Sequence, residues 1–303
     1  MKPTLICVCG PTAVGKTTVA INIAKQYHCP IVSFDSRQFF KELQIGAAPP
    51  SLEELAEAPH HFIGQLSINQ NYNAGIFEKE AITLLNKLFK EHSVIVAVGG
   101  SGMYLQALLN GFDEMPTISN EIRAELQTTF EQHGLAPLQR ELEEKDPEHF
   151  AVIDLKNPQR VIRALEVIRS TGNKYSGLRK GTKATRNFNA LPIGLTLPRE
   201  ELYQRVNLRV DKMVSAGLVA EVKSLVKWES ANALQTVGYK ELFTHFNGVY
   251  DLDTAVEEIK KNSRRYAKRQ LTWFKHQIEM PWFNPQNTAA ILEYTKTQLP
   301  QKA

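Results

Sequence analysis

Near the start of this 303-residue chain stands a run with the residue types for phosphate chemistry. Gly10-Pro11-Thr12-Ala13-Val14-Gly15-Lys16-Thr17 fits G-x-x-x-x-G-K-[ST]. Its glycines let successive backbone N–H groups turn inward onto phosphate oxygens. A helix opening at the lysine adds partial positive charge. Lys16 can reach the outer phosphate, and the Thr17 hydroxyl can ligate Mg²⁺. A Gly-rich turn that binds nothing is the bland alternative. The context argues against it, because an apolar run, Leu5 to Cys9, precedes the loop and helical periodicity follows it.

A phosphate loop does not by itself mean phosphoryl transfer. Kinases and nucleotide hydrolases usually place a metal-binding acid at the end of another buried strand. The obvious strand here, Ser93 to Val98, runs into Gly99-Gly100-Ser101-Gly102, with no carboxylate. That points to a diphosphate held as a leaving group. Asp35 directly follows the short apolar run Ile31 to Phe34. In a parallel sheet the C-terminal strand ends share one rim, so Lys16, Thr17, Asp35 and Ser101 are expected to converge. A carboxylate there can ligate metal through water or act as a general base. It can equally cap a helix through Ser36, and Ser101 can be a plain turn residue. Pro59-His60-His61-Phe62 lacks a third metal ligand nearby and reads as structural or substrate-contacting.

These residues need a scaffold. Leu5–Cys9, Ile31–Phe34, Val94–Val98 and Leu191–Leu197 read as strands. Thr17–Tyr27, Ile76–Lys90 and Met103–Leu109 read as the helices between them. Such alternation predicts an α/β fold, a P-loop NTPase-like doubly wound parallel sheet. From Ile118 to about Asn173 only helical periodicity is visible, and Ser170–Asn189 is a basic, Gly- and Ser-punctuated loop. The predicted organisation is a core of residues 1–116 plus 191–303 and a mostly α-helical insertion at 117–190. After Leu197 everything reads as helical: Leu202–Ala216, Val219–Trp228 and Glu257–Ile278.

Composition narrows the class. At 43% hydrophobic and 22% charged residues the chain is neither disordered nor fibrous. Its net charge of +4 permits a nucleic-acid partner without requiring one. No apolar run approaches a membrane span, and Leu5–Cys9 is too short for a signal-peptide core, so a cytoplasmic protein is expected. Cys7, Cys9 and Cys29 read as buried thiols. Arg160 and Arg163 share one face of a predicted helix, with Val161, Leu165 and Ile168 on the other; a solvated charged face is the commoner meaning of such a pair. Lys260 to Lys275 holds seven basic residues and no acidic one, a plausible phosphate-contacting surface, with Ile259, Tyr266 and Trp273 as anchors at heptad spacing.

Taken together, GPTAVGKTT (10–18), DSRQFF (35–40), AVGGSGMYLQALLNG (97–111), QRVIRALEVIRSTG (159–172), RVDKMVSAGLVAEV (209–222), TVGYKE (236–241) and RRYAKRQLTWFK (264–275) resemble the tRNA dimethylallyltransferases. The likeness covers nearly the whole chain. It implies transfer of the dimethylallyl group of dimethylallyl diphosphate to N6 of adenosine 37 in tRNA, with pyrophosphate released and Mg²⁺ assisting. By that resemblance Gly10, Pro11, Thr12, Ala13, Val14, Gly15, Lys16 and Thr17 bind the diphosphate, joined by Arg209. Thr17 would be the metal ligand and Asp35 the general base. Ser101 matches the position that assists near the amine, where Thr is more usual. Asp35, Ser36, Arg37 and Gln38 match tRNA-gripping positions, as do Ser101, Arg123, Gln159, Arg160, Val161, Ile162 and Arg163. The chain departs from the family pattern at Phe39-Phe40, where Val-Tyr is common. It also departs at Ala47 and Pro49, where Thr and Lys are usual. A monomer acting on the anticodon stem-loop is expected, with no membrane partner.

The chemistry is sensible from below. The N6 amine is a poor nucleophile because its lone pair is delocalised, so a carboxylate taking its proton helps. Lys16, backbone N–H groups and Mg²⁺ stabilise the charge growing on the leaving diphosphate. A buried anticodon-loop base must first be unstacked. The competing readings are a P-loop nucleotide kinase with a helical lid and a non-catalytic RNA-binding P-loop protein.

Overall fold

Side chains alternate between faces along a strand, so a strand buried on both sides must be apolar at every position. β1 (Thr4–Cys9) meets that demand from Leu5 onward, and every residue is buried in the computed structural model. Leu5, Cys7 and Cys9 enter one apolar core, while Ile6 and Val8 enter the other. The structure describes residues 2–113, 115–116, 118–179, 181 and 183–299.

Beside β1 lie β2 (Ile31–Ser33), β3 (His60–His61), β4 (Val94–Gly99), β5 (Asn189–Leu195) and β6 (Trp282–Phe283). The order is β3-β2-β4-β1-β5-β6, and every pairing is parallel. Cys9 faces Gly99 and Ser33 faces Val98, so β1, β2 and β4 end together on one rim. Helices cover both faces. Val19 and Ile23 of Lys16–Tyr27 pack into the Ile6/Val8 core; Phe77 of Ala74–Leu88 and Leu105 of Gly102–Asn110 pack into the other. The 26-residue helix Leu252–Gln277 contributes to both, through Ile259 and Phe274 on one side and Ala267 on the other.

Two strands escape a sequence reading. β3 and β6 have two residues each, too few to display a period of two, and only their neighbours define them. The stretch after Leu197 is therefore not all helical: Trp282 pairs with Gly194 of β5. All three cysteines are free and buried.

The chain divides into two compact units, Met1–Asn110 with Thr185–Ala303, and Gly111–Ala184. Both divisions fall a few residues before the predicted boundaries, of which Thr117 lies outside the described residues. In the smaller unit, Asn120–His133, Ala136–Lys145 and Pro158–Thr171 enclose a core that includes Leu126, Leu138, Val161, Leu165 and Ile168. Ser119 and Asn157 cap two of these helices by accepting N–H bonds from Ile122 and Arg160. The basic segment contains one short helix, Tyr175–Leu178; its Lys180 and Thr182 lie outside the described residues.

Candidate active site

The rim opens into a cavity of about 330 Å³ within the larger unit. Lys16, Thr17, Asp35 and Arg209 all line it. The loop geometry explains the motif. Gly15 sits at φ +101°, left-handed space open to glycine, and the helix Lys16–Tyr27 begins at the next residue. The opening N–H groups of that helix have no intrahelical acceptor and can face an anion. Two motif residues contribute differently from the expectation. Pro11 has no N–H to donate; its carbonyl instead accepts the Lys16 ammonium at 2.8 Å. Thr12 donates its N–H to Gln270 Oε1 at 2.8 Å, so that group is already engaged.

Lys16, Asp35 and Arg209 share one electrostatic field. Burial pushes the Lys16 ammonium down to about 8, while the Asp35 carboxylate pulls it up and Arg209 pushes it further down. Burial also lowers the Arg209 guanidinium, again against Asp35. The carboxylate is thus coupled to two half-buried cations, although the three residues are far apart in sequence.

Asp35 Oδ1 accepts the Arg37 N–H at 3.1 Å, closing a local turn. No helix starts there, so Asp35 is not a helix cap. Ser101 is tethered: its Oγ accepts the Ser36 N–H at 3.0 Å and lies 3.1 Å from Ser36 Oγ. Tyr266 also hydrogen-bonds to the Ser101 side chain, and burial pushes its phenol up to about 12. Tyr266 lines the cavity, a role its heptad spacing did not reveal.

Arg37 and Gln38 face inward to their own chain. The Arg37 guanidinium donates to the carbonyls of Asn232 and Ala233 at 2.9 and 3.0 Å. Gln38 accepts from Ser33 Oγ and donates to the Ala48 carbonyl, both at 3.0 Å. Phe39 is fully buried in an aromatic cluster with Phe62, Tyr72, Phe77 and Tyr104, anchoring the end of this turn. Downstream, Glu221 accepts the N–H groups of Ile45 and Gly46 and the Tyr239 hydroxyl. Ala47, at the position where Thr is usual, and Ala48 line the cavity beside this pinned backbone; Pro49, where Lys is usual, is not among the lining residues. The cavity is also lined by the apolar side chains of Val206, Val210, Met213, Leu218, Val237 and Ile259, the first three on the same helix as Arg209, Arg199–Ser215.

His60 also lines the cavity. Its Nδ1 lies 2.7 Å from the Ala58 carbonyl, and burial lowers its pKa. Among the described residues no three His, Cys, Asp or Glu side chains could together hold a metal ion. Several hydroxyls, Thr17 among them, and two carboxylates, Asp35 and Glu54, line the cavity. A lining without a three-ligand cage among the described residues suits Mg²⁺ carried in on a diphosphate, since Mg²⁺ commonly keeps waters and substrate phosphate oxygens as ligands.

In the smaller unit Glu166 is 5% exposed and binds two arginines, Arg123 Nε at 2.8 Å and Arg163 at 3.0 Å. Arg160 and Gln159 are exposed. Val161 is fully buried, which corrects its place among RNA contacts: its side chain is core. Ile162 packs partly against that core. The basic helix is likewise divided. Lys260 pairs with Asp211 and Glu257, Lys261 with Glu258, and Arg264 bonds to Asn207. Arg265, Lys268, Arg269 and Lys275 are exposed.

The chain is similar to known proteins over nearly its whole length. The family model described as IPP transferase matches residues 38–277. The chain is 47% identical over 295 residues to the tRNA dimethylallyltransferase of Cytophaga hutchinsonii, covering 97% of each. It is 48% identical over 302 residues to that of Flavobacterium psychrophilum, covering 97% of this chain and 98% of the relative. Among solved structures, the tRNA isopentenylpyrophosphate transferase of Bacillus halodurans matches with TM-score 0.73 at 33% identity, over 98% of this chain and 96% of that one. A eukaryotic dimethylallyltransferase captured acting on tRNA matches with TM-score 0.80 at 26% identity, over 99% and 81%.

Proposed function

From the premise that the chain belongs to the IPP transferase family, the tRNA dimethylallyltransferases, we propose how its own residues carry out the reaction. Membership makes it an enzyme that transfers a prenyl group to tRNA. The donor is dimethylallyl diphosphate and the acceptor is N6 of adenosine 37, beside the anticodon. The observation that carries this reading is the cavity lined by Lys16, Asp35 and Arg209 together with a set of apolar side chains.

The N–H groups opening the helix Lys16–Tyr27 hold the diphosphate, with Lys16 and Arg209 opposing its charge. The side chains of Val206, Val210, Met213 and Ile259 exclude water from the dimethylallyl carbon. Asp35 takes the proton from N6 as the C–N bond forms and the C–O bond to diphosphate breaks. Tyr266 holds Ser101, and Ser101 holds Ser36 and so the Asp35 turn in place. Bound Mg²⁺, held near Thr17, would neutralise charge on the departing pyrophosphate. Arg123, Gln159, Arg160 and Arg163 grip the tRNA backbone, with Arg123 and Arg163 presented by Glu166. The reading takes the enzyme as a cytoplasmic monomer.

The kinase reading requires a metal-binding acid at the end of β4, and the residues there are Gly99-Gly100-Ser101-Gly102. Incubation with dimethylallyl diphosphate, Mg²⁺ and unmodified tRNA, followed by nucleoside analysis, tests the proposal. N6-isopentenyladenosine is expected, inorganic pyrophosphate should compete with the donor, and ATP hydrolysis should be negligible. Steady tRNA-stimulated ATP hydrolysis without prenylated adenosine would overturn it.

A further inference from the structure

Gln270, in the helix Leu252–Gln277, joins two loops that the sequence keeps far apart. Its Oε1 accepts the Thr12 N–H at 2.8 Å, and its Nε2 donates to the Gly100 carbonyl at 2.9 Å. The side chain is 7% exposed. The orientation of the amide is dictated by its partners, because a backbone N–H can only donate and a carbonyl can only accept. Gly100 carries no Cβ, and one placed there would collide with Gln270 Nε2. The close approach is therefore built from both sides.

What Gln270 connects matters more than the two bonds. Thr12 belongs to the phosphate loop, and Gly100 precedes Ser101. Ser101 in turn holds the Ser36 N–H, one residue from Asp35. A single buried amide thus spans the loop assigned to the leaving diphosphate and the turn that braces the base. We propose that Gln270 is a positioning residue that sets the spacing between the donor loop and the Asp35–Ser101 side of the site. The inference rests on the reading of the phosphate loop as diphosphate cradle and of Asp35 as base. Displacements of about 1 Å cost on the order of 10²-fold when reacting groups must be aligned, so the effect should be large.

Two near-isosteric variants separate the halves of the bridge. Q270M removes both bonds. It should lower kcat by roughly 10–100-fold and raise KM for dimethylallyl diphosphate several-fold, because the donor loop loses its brace. Q270E keeps an acceptor for Thr12 but turns a carboxylate oxygen toward the Gly100 carbonyl. KM for the donor should then stay near wild type while kcat falls. A buried carboxylate beside a carbonyl has a raised pKa, and once protonated it can donate to Gly100. The ratio of wild-type to Q270E kcat should therefore be largest near pH 8.5 and shrink toward pH 6. The measurements are steady-state kcat and KM for dimethylallyl diphosphate and the single-turnover rate of prenylated adenosine formation across that range, with thermal melts of each variant.

A ratio that does not change with pH would overturn the proposal, as would wild-type kinetics in Q270M. If Q270M fails to fold, the Q270E profile decides alone, since that variant is its own control across pH. A Q270E protein that also fails to fold would assign Gln270 to the fold rather than to the reaction. Wild-type protein that forms no prenylated adenosine would reject the assigned reaction and this role with it; an active wild type with indifferent variants rejects this role only.

Discussion

The Lys16 ammonium offers a measurement that needs no mutation. Burial holds it at about 8 rather than the ordinary 10.5, a difference corresponding to roughly 3 kcal/mol. The lysine is thus about 90% protonated at pH 7 and about 10% at pH 9 when the cavity holds no donor. A bound diphosphate reverses the cause, because opposite charge within a few ångströms favours the ammonium. With the ammonium held protonated by the bound diphosphate across this range, donor affinity should weaken about tenfold between pH 7 and pH 9. The sign follows from the cation: affinity is fully present below 8 and declines above it. Binding at pH 9 should take up close to one proton, and binding at pH 7 almost none.

Calorimetry with dimethylallyl diphosphate and Mg²⁺, without tRNA, in buffers of different ionisation enthalpy reads both quantities. Lys16→Arg keeps its charge throughout this range and should flatten the dependence whatever its absolute affinity. Affinity that stays constant to pH 9 without proton uptake would refute the reasoning, as would an unchanged pH dependence in Lys16→Arg.

Asp35→Asn should remove roughly 10²–10⁴ of the single-turnover rate while pyrophosphate still binds; a near-normal rate would reject Asp35 as the base. Arg160→Glu should weaken tRNA binding and flatten its salt dependence, leaving donor affinity unchanged, as filter binding at several salt concentrations would show. Arg160 is the clean choice because reversing Arg163 would place a carboxylate against buried Glu166 and disturb the helical unit itself. Phe39→Ala opens the fully buried aromatic cluster behind the Asp35 turn and should cost about 3–5 kcal/mol, read as a lower urea midpoint.

Some of this protein is written in short stretches of chain. A phosphate loop needs eight consecutive residues between a strand and a helix, so Gly10 to Thr17 declare it locally. The all-buried pattern of Leu5–Cys9 and the periodicity of Ile76–Lys90 arise from bonds and burial repeating within one element, so the α/β alternation is visible too. The convergence of Lys16, Asp35 and Ser101 follows from one topological rule, that parallel strands end on a shared rim. What the tertiary structure alone decided concerns partners distant in sequence. Arg37 looks like an RNA contact until the carbonyls of Asn232 and Ala233 take its guanidinium. Val161 sits among arginines in sequence, but helix packing turns it into core. Gln270 is an unremarked glutamine between basic residues, and only the approach of its helix to the rim brings Thr12 and Gly100 to its two ends. A side chain's chemistry depends on which groups desolvate it and which complete its hydrogen bonds. For these residues those groups lie on other elements, so no local pattern could carry the information.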